Sequence, residues 1–209
     1  MACSSDSSWA EAQEHYRAWW AHEAFGRCGL SVRAPKKGCP QSEPPPRPAT
    51  PEECWTDLDY FSARCRWKHD QSFLGGEAFD NWGYGYPGHT TLEVYLGCSI
   101  TLDFNTGWVD PLLTGPEIEW QGLKLDTNHR YWKFHFDWLR RGAAETDPAD
   151  RLLAGVGAFG SSGDTLAGLR GTDRLLYDVS ERPGQVRDAD LFLTDLWCRA
   201  YDQFYAVTQ

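Results

Sequence analysis

Long apolar runs, basic runs and several common motifs are missing from this sequence of 209 residues. No stretch of about 20 apolar residues occurs, which excludes a typical transmembrane helix. Lysine and arginine never form a run longer than two and the net charge is −10, so a basic stripe for nucleic acid is not expected. GxSxG, P-loop and GxGxxG motifs are absent as well. We therefore expect neither nucleic acid nor a membrane as a partner.

The cysteines do not form a recognisable framework. There are 7 of them, an odd number, and none belongs to a C-x-x-C pair. The first residues contain neither an apolar h-region nor an early positive charge, as a signal peptide would. We therefore expect a cytoplasmic protein with reduced, mostly buried thiols.

Aromatic residues are abundant, with 11 Trp, 9 Tyr and 10 Phe. Aromatic rings bury large areas in cores, interfaces and ligand clefts, and an aromatic core is the simpler explanation for any one of them. Hydrophobic residues make up 41% and charged residues 24%, which is a globular composition. The length suits one domain with a substantial core.

Apolar periodicity predicts helices that alternate with a few strands. Helices are predicted over residues 8–24, 51–70, 91–96, 128–142, 164–169, 172–181 and 184–205, and strands over 29–34, 73–79 and 152–159. A proline-rich loop is predicted over 35–51, and residues 98–126 are predicted to be irregular. This alternation is typical of an α/β fold with a parallel sheet and covering helices.

Several stretches between about residues 15 and 206 carry a more specific pattern. They read AWWAHEAFGRCGLSVRAPK, WTDLDYF, FLGGEAFDNWGYGYPG followed by LGC, and GSSGDTLAGLRGTDRLLYDVSERPGQV followed by LWCRAYDQFY. The most specific part is D-T-L-A-x-L-R-G, then L-L-x-D, then R-P. Together these stretches resemble the uroporphyrinogen decarboxylase superfamily, and in particular its uncharacterised and corrinoid-methyltransferase-related branches.

The resemblance implies a fold and a partial domain. Members of the family are (β/α)8 TIM barrels with sites at the C-terminal ends of the strands, and a complete barrel typically needs about 250 residues. The matching stretches cover the N-terminal half of such a barrel. We therefore expect one domain over residues 1–209 that forms the N-terminal part of an incomplete barrel, truncated at its C-terminal side.

The resemblance also implies an activity, either decarboxylation of a carboxylated tetrapyrrole or corrinoid-dependent methyl transfer. Decarboxylation in this family needs no cofactor, whereas zinc or a corrinoid would require the missing C-terminal half, so none is expected in this chain. The alternatives are a non-catalytic module that binds a sugar or a planar ligand, and an inactive truncated barrel. A half barrel leaves sheet edges and apolar helix faces uncovered, so a homodimer or association with the missing half is expected.

The end of the first predicted strand and the loop after it contain Arg33, Lys36 and Lys37. By resemblance this segment matches the arginine-rich loop that binds substrate carboxylates in the decarboxylases. The positive charge is kept, but the family's two-arginine pattern is not, and lysine does not reproduce a bidentate arginine clamp. A solvated loop is the alternative interpretation.

A glycine- and aromatic-rich segment follows the second predicted strand. It contains Asp80, Trp82, Tyr84, Tyr86 and His89. By resemblance, Asp80 corresponds to the aspartate that accepts hydrogen bonds from pyrrole N–H groups. The aromatic rings are predicted to lie against a planar ligand, and His89 to transfer a proton near neutral pH. The alternative is a structural loop packed over the barrel mouth.

Ser162, Asp164 and Thr165 follow the third predicted strand at the start of a helix. A helix N-terminus is a natural anion site, and the alternative is that Ser162 or Asp164 is an ordinary N-cap. Substrate binding and capping are therefore both open here.

Other polar residues are predicted to be structural. Cys98 is expected to be a small buried residue, and His135 to lie in the core. Arg170 is expected to form an ion pair with Asp173 or Asp178. Histidine spacing in the sequence does not indicate a metal site.

Overall fold

The computed structural model describes residues 5–38, 42–82, 92–157 and 160–208. The helices are α1 (Ser5–Trp20), α2 (Pro51–Thr56), α3 (Leu58–Asp70), α4 (Leu92–Tyr95), α5 (Arg130–Glu145), α6 (Ser162–Arg170), α7 (Thr172–Glu181) and α8 (Pro183–Tyr205). The strands are β1 (Ser31–Pro35), β2 (Ser72–Gly76), β3 (Asp80–Trp82), β4 (Ile100–Leu102), β5 (Gly107–Val109) and β6 (Leu152–Ala154). No helix in these ranges is long and apolar enough to cross a membrane.

The predicted helix over 51–70 is two helices. Thr50 and Glu53 form a capping box at the start of α2, and Pro51 occupies its first turn. Asp57 then adopts an extended conformation (φ −83°, ψ 106°), and its side chain accepts hydrogen bonds from the N–H groups of Asp59 and Tyr60. Asp57 therefore ends α2 and caps α3, which turns the chain between them.

The strands pair in three separate two-stranded sheets. β1 and β2 are antiparallel, with Ser31 opposite Gly76, and β4 and β5 are antiparallel as well. β3 and β6 form the parallel pair, with Asp80 opposite Leu152. The fold is mixed α/β, as expected, but the prediction of one parallel sheet is wrong for the described residues, which form no closed barrel.

A tight approach at Gly76 sets the antiparallel pairing of β1 with β2. Gly76 has a φ of +62°, and a Cβ atom there would lie 2.1 Å from the carbonyl oxygen of Leu30. The same oxygen accepts a hydrogen bond from the Glu77 N–H at 2.9 Å. Only glycine fits both the conformation and the space at position 76, which lets the end of β2 pack closely against the start of β1.

A β-hairpin lies within residues 98–126, which were predicted to be irregular. β4 and β5 pair from Ile100 opposite Val109 to Leu102 opposite Gly107. In the turn, the Asp103 N–H donates to the Thr106 carbonyl at 2.8 Å. Both strands are only three residues long, which is too short for their alternation to stand out in the sequence.

The main core lies among α4, α5, α6 and α8. Its fully buried members include Leu92, Tyr95, Leu139, Leu169, Leu193 and Phe204. A smaller cluster of Trp82, Trp138 and Leu152 packs between β3, β6 and α5. Trp82, Trp132 and Trp138 are thus buried in these two clusters and Trp55 in a third, whereas Trp19, Trp20 and Trp108 are exposed.

Three structural predictions for polar residues are confirmed. Arg170 Nε lies 2.6 Å from Asp178 Oδ2, and both side chains are buried. Cys98 is buried, at 4% exposure. His135 is 1% exposed, its ring lies 4.0 Å from that of Phe204, and burial lowers its pKa to about 3.

Candidate functional site

Two adjoining cavities lie between α3 and the strands β1 and β3. Their volumes are about 500 Å³ and 390 Å³. Arg33, Trp67 and Lys68 line both cavities, so together they form one continuous groove, termed here the basic cleft. Two residues that the sequence predicted as site residues, Arg33 and Asp80, both line the basic cleft.

Helix α3 supplies most of the basic cleft. Arg64 lies three residues before Trp67 and four before Lys68, and Gln71 follows these two at the same spacings, so the four share one face of the helix. Phe61, one turn earlier, and Phe79 add apolar walls. Trp67 is further positioned by its indole N–H, which donates to the Ser42 carbonyl at 2.9 Å. The face therefore alternates positive charge with aromatic surface.

The opposite wall is built around Asp80. This residue is the first of β3 and its side chain is 7% exposed. Arg33 from β1 forms an ion pair with its Oδ1 atom, and Nδ1 of His69 lies 3.0 Å from its Oδ2 atom. Arg33 also donates to the Phe79 carbonyl at 3.1 Å. Three elements, β1, β3 and α3, thus meet at one carboxylate.

Opposing effects set the pKa of Asp80. Burial raises this pKa, whereas the hydrogen bond from His69 and the positive charge of Arg33 lower it. Together the lowering effects outweigh burial, so the pKa of Asp80 lies below its ordinary value. The pKa of His69 is raised, chiefly by its hydrogen bond to Asp80. Asp80 is therefore an anion in the folded protein near neutral pH, held between the Arg33 guanidinium and the His69 imidazole.

Lysines 36 and 37 are separated by the structure. The Lys36 N–H donates to the Gln71 carbonyl at 2.9 Å, which places Lys36 at the outer part of the basic cleft. Lys37 is exposed in the following turn and does not line the cleft. Of the three predicted carboxylate-binding residues, Arg33 and Lys36 come together.

The aromatic residues predicted to contact a planar ligand do not lie together in the basic cleft. Trp82 is 1% exposed and packs in the core with Trp138 and Leu152. This burial corrects its predicted ligand-stacking role, because an enclosed ring has no face left for a ligand. Tyr84, Tyr86 and His89 lie outside the described residues.

The third predicted group forms a helix cap. Ser161 and Asp164 make a capping box at the start of α6, in which each side chain bonds the other's backbone N–H. Thr165 is completely buried, and Ser162 is half-buried. None of the three predicted residues Ser162, Asp164 and Thr165 lines the basic cleft. The N-cap is Ser161, one residue before the predicted Ser162, and Asp164 completes the capping box.

Sequence reasoning missed the α3 side of the cleft. Arg64, Trp67 and Lys68 lie within the predicted helix 51–70, and no role was predicted for them. Their spacing gives them a common face, but nothing in the sequence shows that β1 and β3 pack opposite it.

The position of Asp80 also differs from the expectation. Sites of the resembling family lie at the C-terminal ends of strands, whereas Asp80 begins β3 and the basic cleft lies at its N-terminal end. In the described parts of the chain, no three His, Cys, Asp or Glu side chains group to hold a metal. The residues present there do not fit a zinc site.

Comparison with known proteins bears on the fold. No family model matches the sequence, and no curated protein matches it. Among solved structures, the chain is similar to a methyltransferase from Methanosarcina mazei, with a TM-score of 0.54 and 12% sequence identity over 73% of this chain. The fold is methyltransferase-like.

This likeness has a defined extent. The chain spans 44% of the length of that methyltransferase. At 12% identity the likeness concerns the fold alone, and it does not assign the chain to the uroporphyrinogen decarboxylase superfamily specifically. Within this methyltransferase-like fold, the basic cleft combines cationic side chains, aromatic surface and volume.

Proposed function

We propose that this chain is part of a uroporphyrinogen-decarboxylase-like enzyme domain whose basic cleft binds the carboxylate groups of a small-molecule substrate. The sequence resemblance supports the family, the structural likeness bears on the fold alone, and the cleft supports the class of ligand. By resemblance, the substrate is a carboxylated tetrapyrrole, or the reaction is corrinoid-dependent methyl transfer.

The observation that carries this proposal is the local charge of the cleft. The whole chain has a net charge of −10, yet Arg33, Arg64, Lys68 and Lys36 line one groove. A local cluster of cations is what an acidic protein needs to attract a polyanion. Planar guanidinium groups also match the geometry of carboxylates.

The walls of the cleft favour a ring-bearing ligand. Phe61, Trp67 and Phe79 provide apolar surface, and the basic cleft comprises cavities of about 500 Å³ and 390 Å³. The anionic Asp80 offers oxygen acceptors to ring N–H groups when Arg33 turns toward a ligand carboxylate. These groups would orient and neutralise a carboxylated ring.

The proposal is tested by the binding of porphyrins that differ in their number of carboxylates, measured by quenching of tryptophan fluorescence. We expect strong quenching by uroporphyrin, weaker quenching by porphyrins with fewer carboxylates, and little by an uncharged water-soluble porphyrin. Equal quenching by all of them would show stacking without carboxylate recognition and contradict the proposal.

Turnover separates the enzyme from a non-catalytic binding module. Uroporphyrinogen and a methylated corrinoid are the two substrates to assay, with release of carbon dioxide or loss of the methyl group as the measurement. Turnover of either supports the enzyme. Binding of uroporphyrin without turnover of either substrate supports the alternative of a non-catalytic module that binds a planar ligand.

A further inference from the structure

His69 occupies an unusual place behind the basic cleft. Its ring lies between two carboxylates, with Nδ1 3.0 Å from Asp80 Oδ2 and Nε2 3.7 Å from Asp150 Oδ2. Its side chain is 13% exposed, and it is not among the residues that line the cleft. His69 therefore acts on a ligand only through Asp80.

Asp80 poses an electrostatic problem for an anion-binding cleft. Its carboxylate is buried, and it lines the same cavity as Arg33. An uncompensated buried carboxylate would repel an arriving anion and would also hold Arg33 too strongly to release it. A second cation on the far oxygen of Asp80 removes both difficulties.

We propose that His69 is a positioning residue of the basic cleft, whose positive charge compensates Asp80 so that Arg33 is available to a ligand carboxylate. This inference rests on the proposed function. It deepens that function by naming a residue that makes anion binding depend on pH.

The surroundings of His69 support a charged imidazole. Asp80 of β3 and Asp150, in the short 3-10 helix Pro148–Asp150, face it from other elements, and Asp70 follows it in α3. Lys68 is the neighbouring cation and Arg33 lies beyond Asp80. The hydrogen bond that His69 donates to Asp80 raises the pKa of His69, burial opposes this, and the net direction is upward. His69 is therefore more strongly protonated near neutral pH than a free histidine.

The chain contains a matched control in His15. Its side chain is also 13% exposed, and its Nδ1 lies 2.7 Å from Glu77 Oε1, a carboxylate that is 7% exposed. Neither His15 nor Glu77 lines the basic cleft. H15Q thus removes a similar histidine–carboxylate pair at a place where anion binding should not respond.

The experiment uses benzene-1,3,5-tricarboxylate, a planar trianion whose charge is constant above about pH 6, with affinity measured by calorimetry from about pH 6 to 8.5. Wild-type affinity should fall about three- to tenfold over this range as His69 loses its proton. H69Q should bind weakly with a flat profile, because glutamine keeps a hydrogen-bond donor for Asp80 but carries no charge. H15Q should keep the wild-type profile.

The outcomes separate the two proposals. An H69Q profile that still follows the wild type overturns the role of His69 and leaves carboxylate binding intact. No binding by the wild type at any pH contradicts the proposed function and this inference with it. NMR titration without ligand tests the inference separately. The pKa of the His69 imidazole should lie above that of free histidine, and D80N should lower it. An unchanged His69 pKa in D80N would also overturn the inference.

Discussion

At the scale of single residues, Glu77 contacts side chains and backbone from several distant parts of the chain. It is 5% exposed, and its carboxylate binds Arg27, His15 and the N–H of Leu30. The carbonyl of Glu77 also accepts from the Tyr16 hydroxyl at 2.6 Å. The residue thereby ties α1 to the strands β1 and β2, which carry one wall of the basic cleft.

The pKa of Glu77 turns this arrangement into a prediction about pH. The hydrogen bond from Arg27 is the largest cause, burial opposes it, and together with Leu30 and His15 the contacts lower the pKa to about 2. A lowered folded-state pKa stabilises the protein above the ordinary pKa of glutamate. That stabilisation is lost as the pH falls from about 4.5 toward about 2.

We therefore expect E77Q to lower the free energy of unfolding by about 2 kcal/mol at neutral pH, because it leaves buried donors without a charged acceptor. Urea denaturation at about pH 7 and pH 3 measures the effect, which should shrink at the lower pH. E14Q is the control, since the Glu14 side chain is 71% exposed. Equal stability of E77Q and wild type at neutral pH would contradict this role.

At the scale of elements, helix α5 and strand β3 meet at a glycine. A Cβ atom on Gly142 would lie 2.3 Å from Cδ1 of Trp82, a ring that is 1% exposed. The close approach lets α5 pack directly on the core cluster of Trp82, Trp138 and Leu152. The ring cannot move aside without disturbing β3, which begins with Asp80.

G142A should therefore destabilise the protein by about 2 kcal/mol through overpacking, despite the higher helix propensity of alanine. G184A is the matched control in α8, where a Cβ atom would meet nothing within 4 Å. The control should be neutral or stabilising by up to about 1 kcal/mol. Thermal unfolding of both variants measures the difference, and a G142A variant as stable as G184A would contradict this packing.

Elements were predicted well where their periodicity is long. The last two helices, predicted over 172–181 and 184–205, match α7 and α8 almost to the residue, because their apolar positions recur over several turns. The hairpin of β4 and β5 was missed, although Asn105, Thr106 and Gly107 marked its turn. Each of its strands offers too few residues to show a period of two.

Which strands and helices contact each other was harder to predict from the sequence than where each of them begins and ends. The partner of β3 is β6, about 70 residues later in the chain, and the partner of β1 is β2 in the antiparallel direction. Gly76 decides the second pairing, and its positive φ is not visible in the sequence. For the same reason Arg33 and Asp80 were predicted separately, while their contact and the α3 side of the cleft were not.

At the scale of the whole molecule, large apolar side chains remain on the surface. Trp19 is 59% exposed, Trp20 74%, Leu176 66% and Leu191 63%. Within the described residues, β3 and β6 pair only with each other, so each has an open edge. Exposed apolar side chains and unpaired strand edges are surfaces that proteins commonly bury by binding another chain.

We therefore predict that the chain associates, as a homodimer or with a partner that completes its fold. Sedimentation velocity over a range of concentrations should show a species larger than the 23.7 kDa monomer. W20S tests whether α1 takes part, and it should weaken association if Trp20 is covered. A compact monomer at all concentrations would contradict both the association and the incomplete barrel.

The central claim is that the basic cleft recognises carboxylates through Arg33, and the affinity of R33Q for uroporphyrin tests it most directly. R187Q is the control, because the Arg187 side chain is 73% exposed and does not line the cleft. We predict that R33Q binds about tenfold more weakly than wild type, since it loses a charge-assisted contact, and that R187Q binds as wild type does. Equal affinity of R33Q and wild type would contradict the assignment of the basic cleft as the carboxylate site.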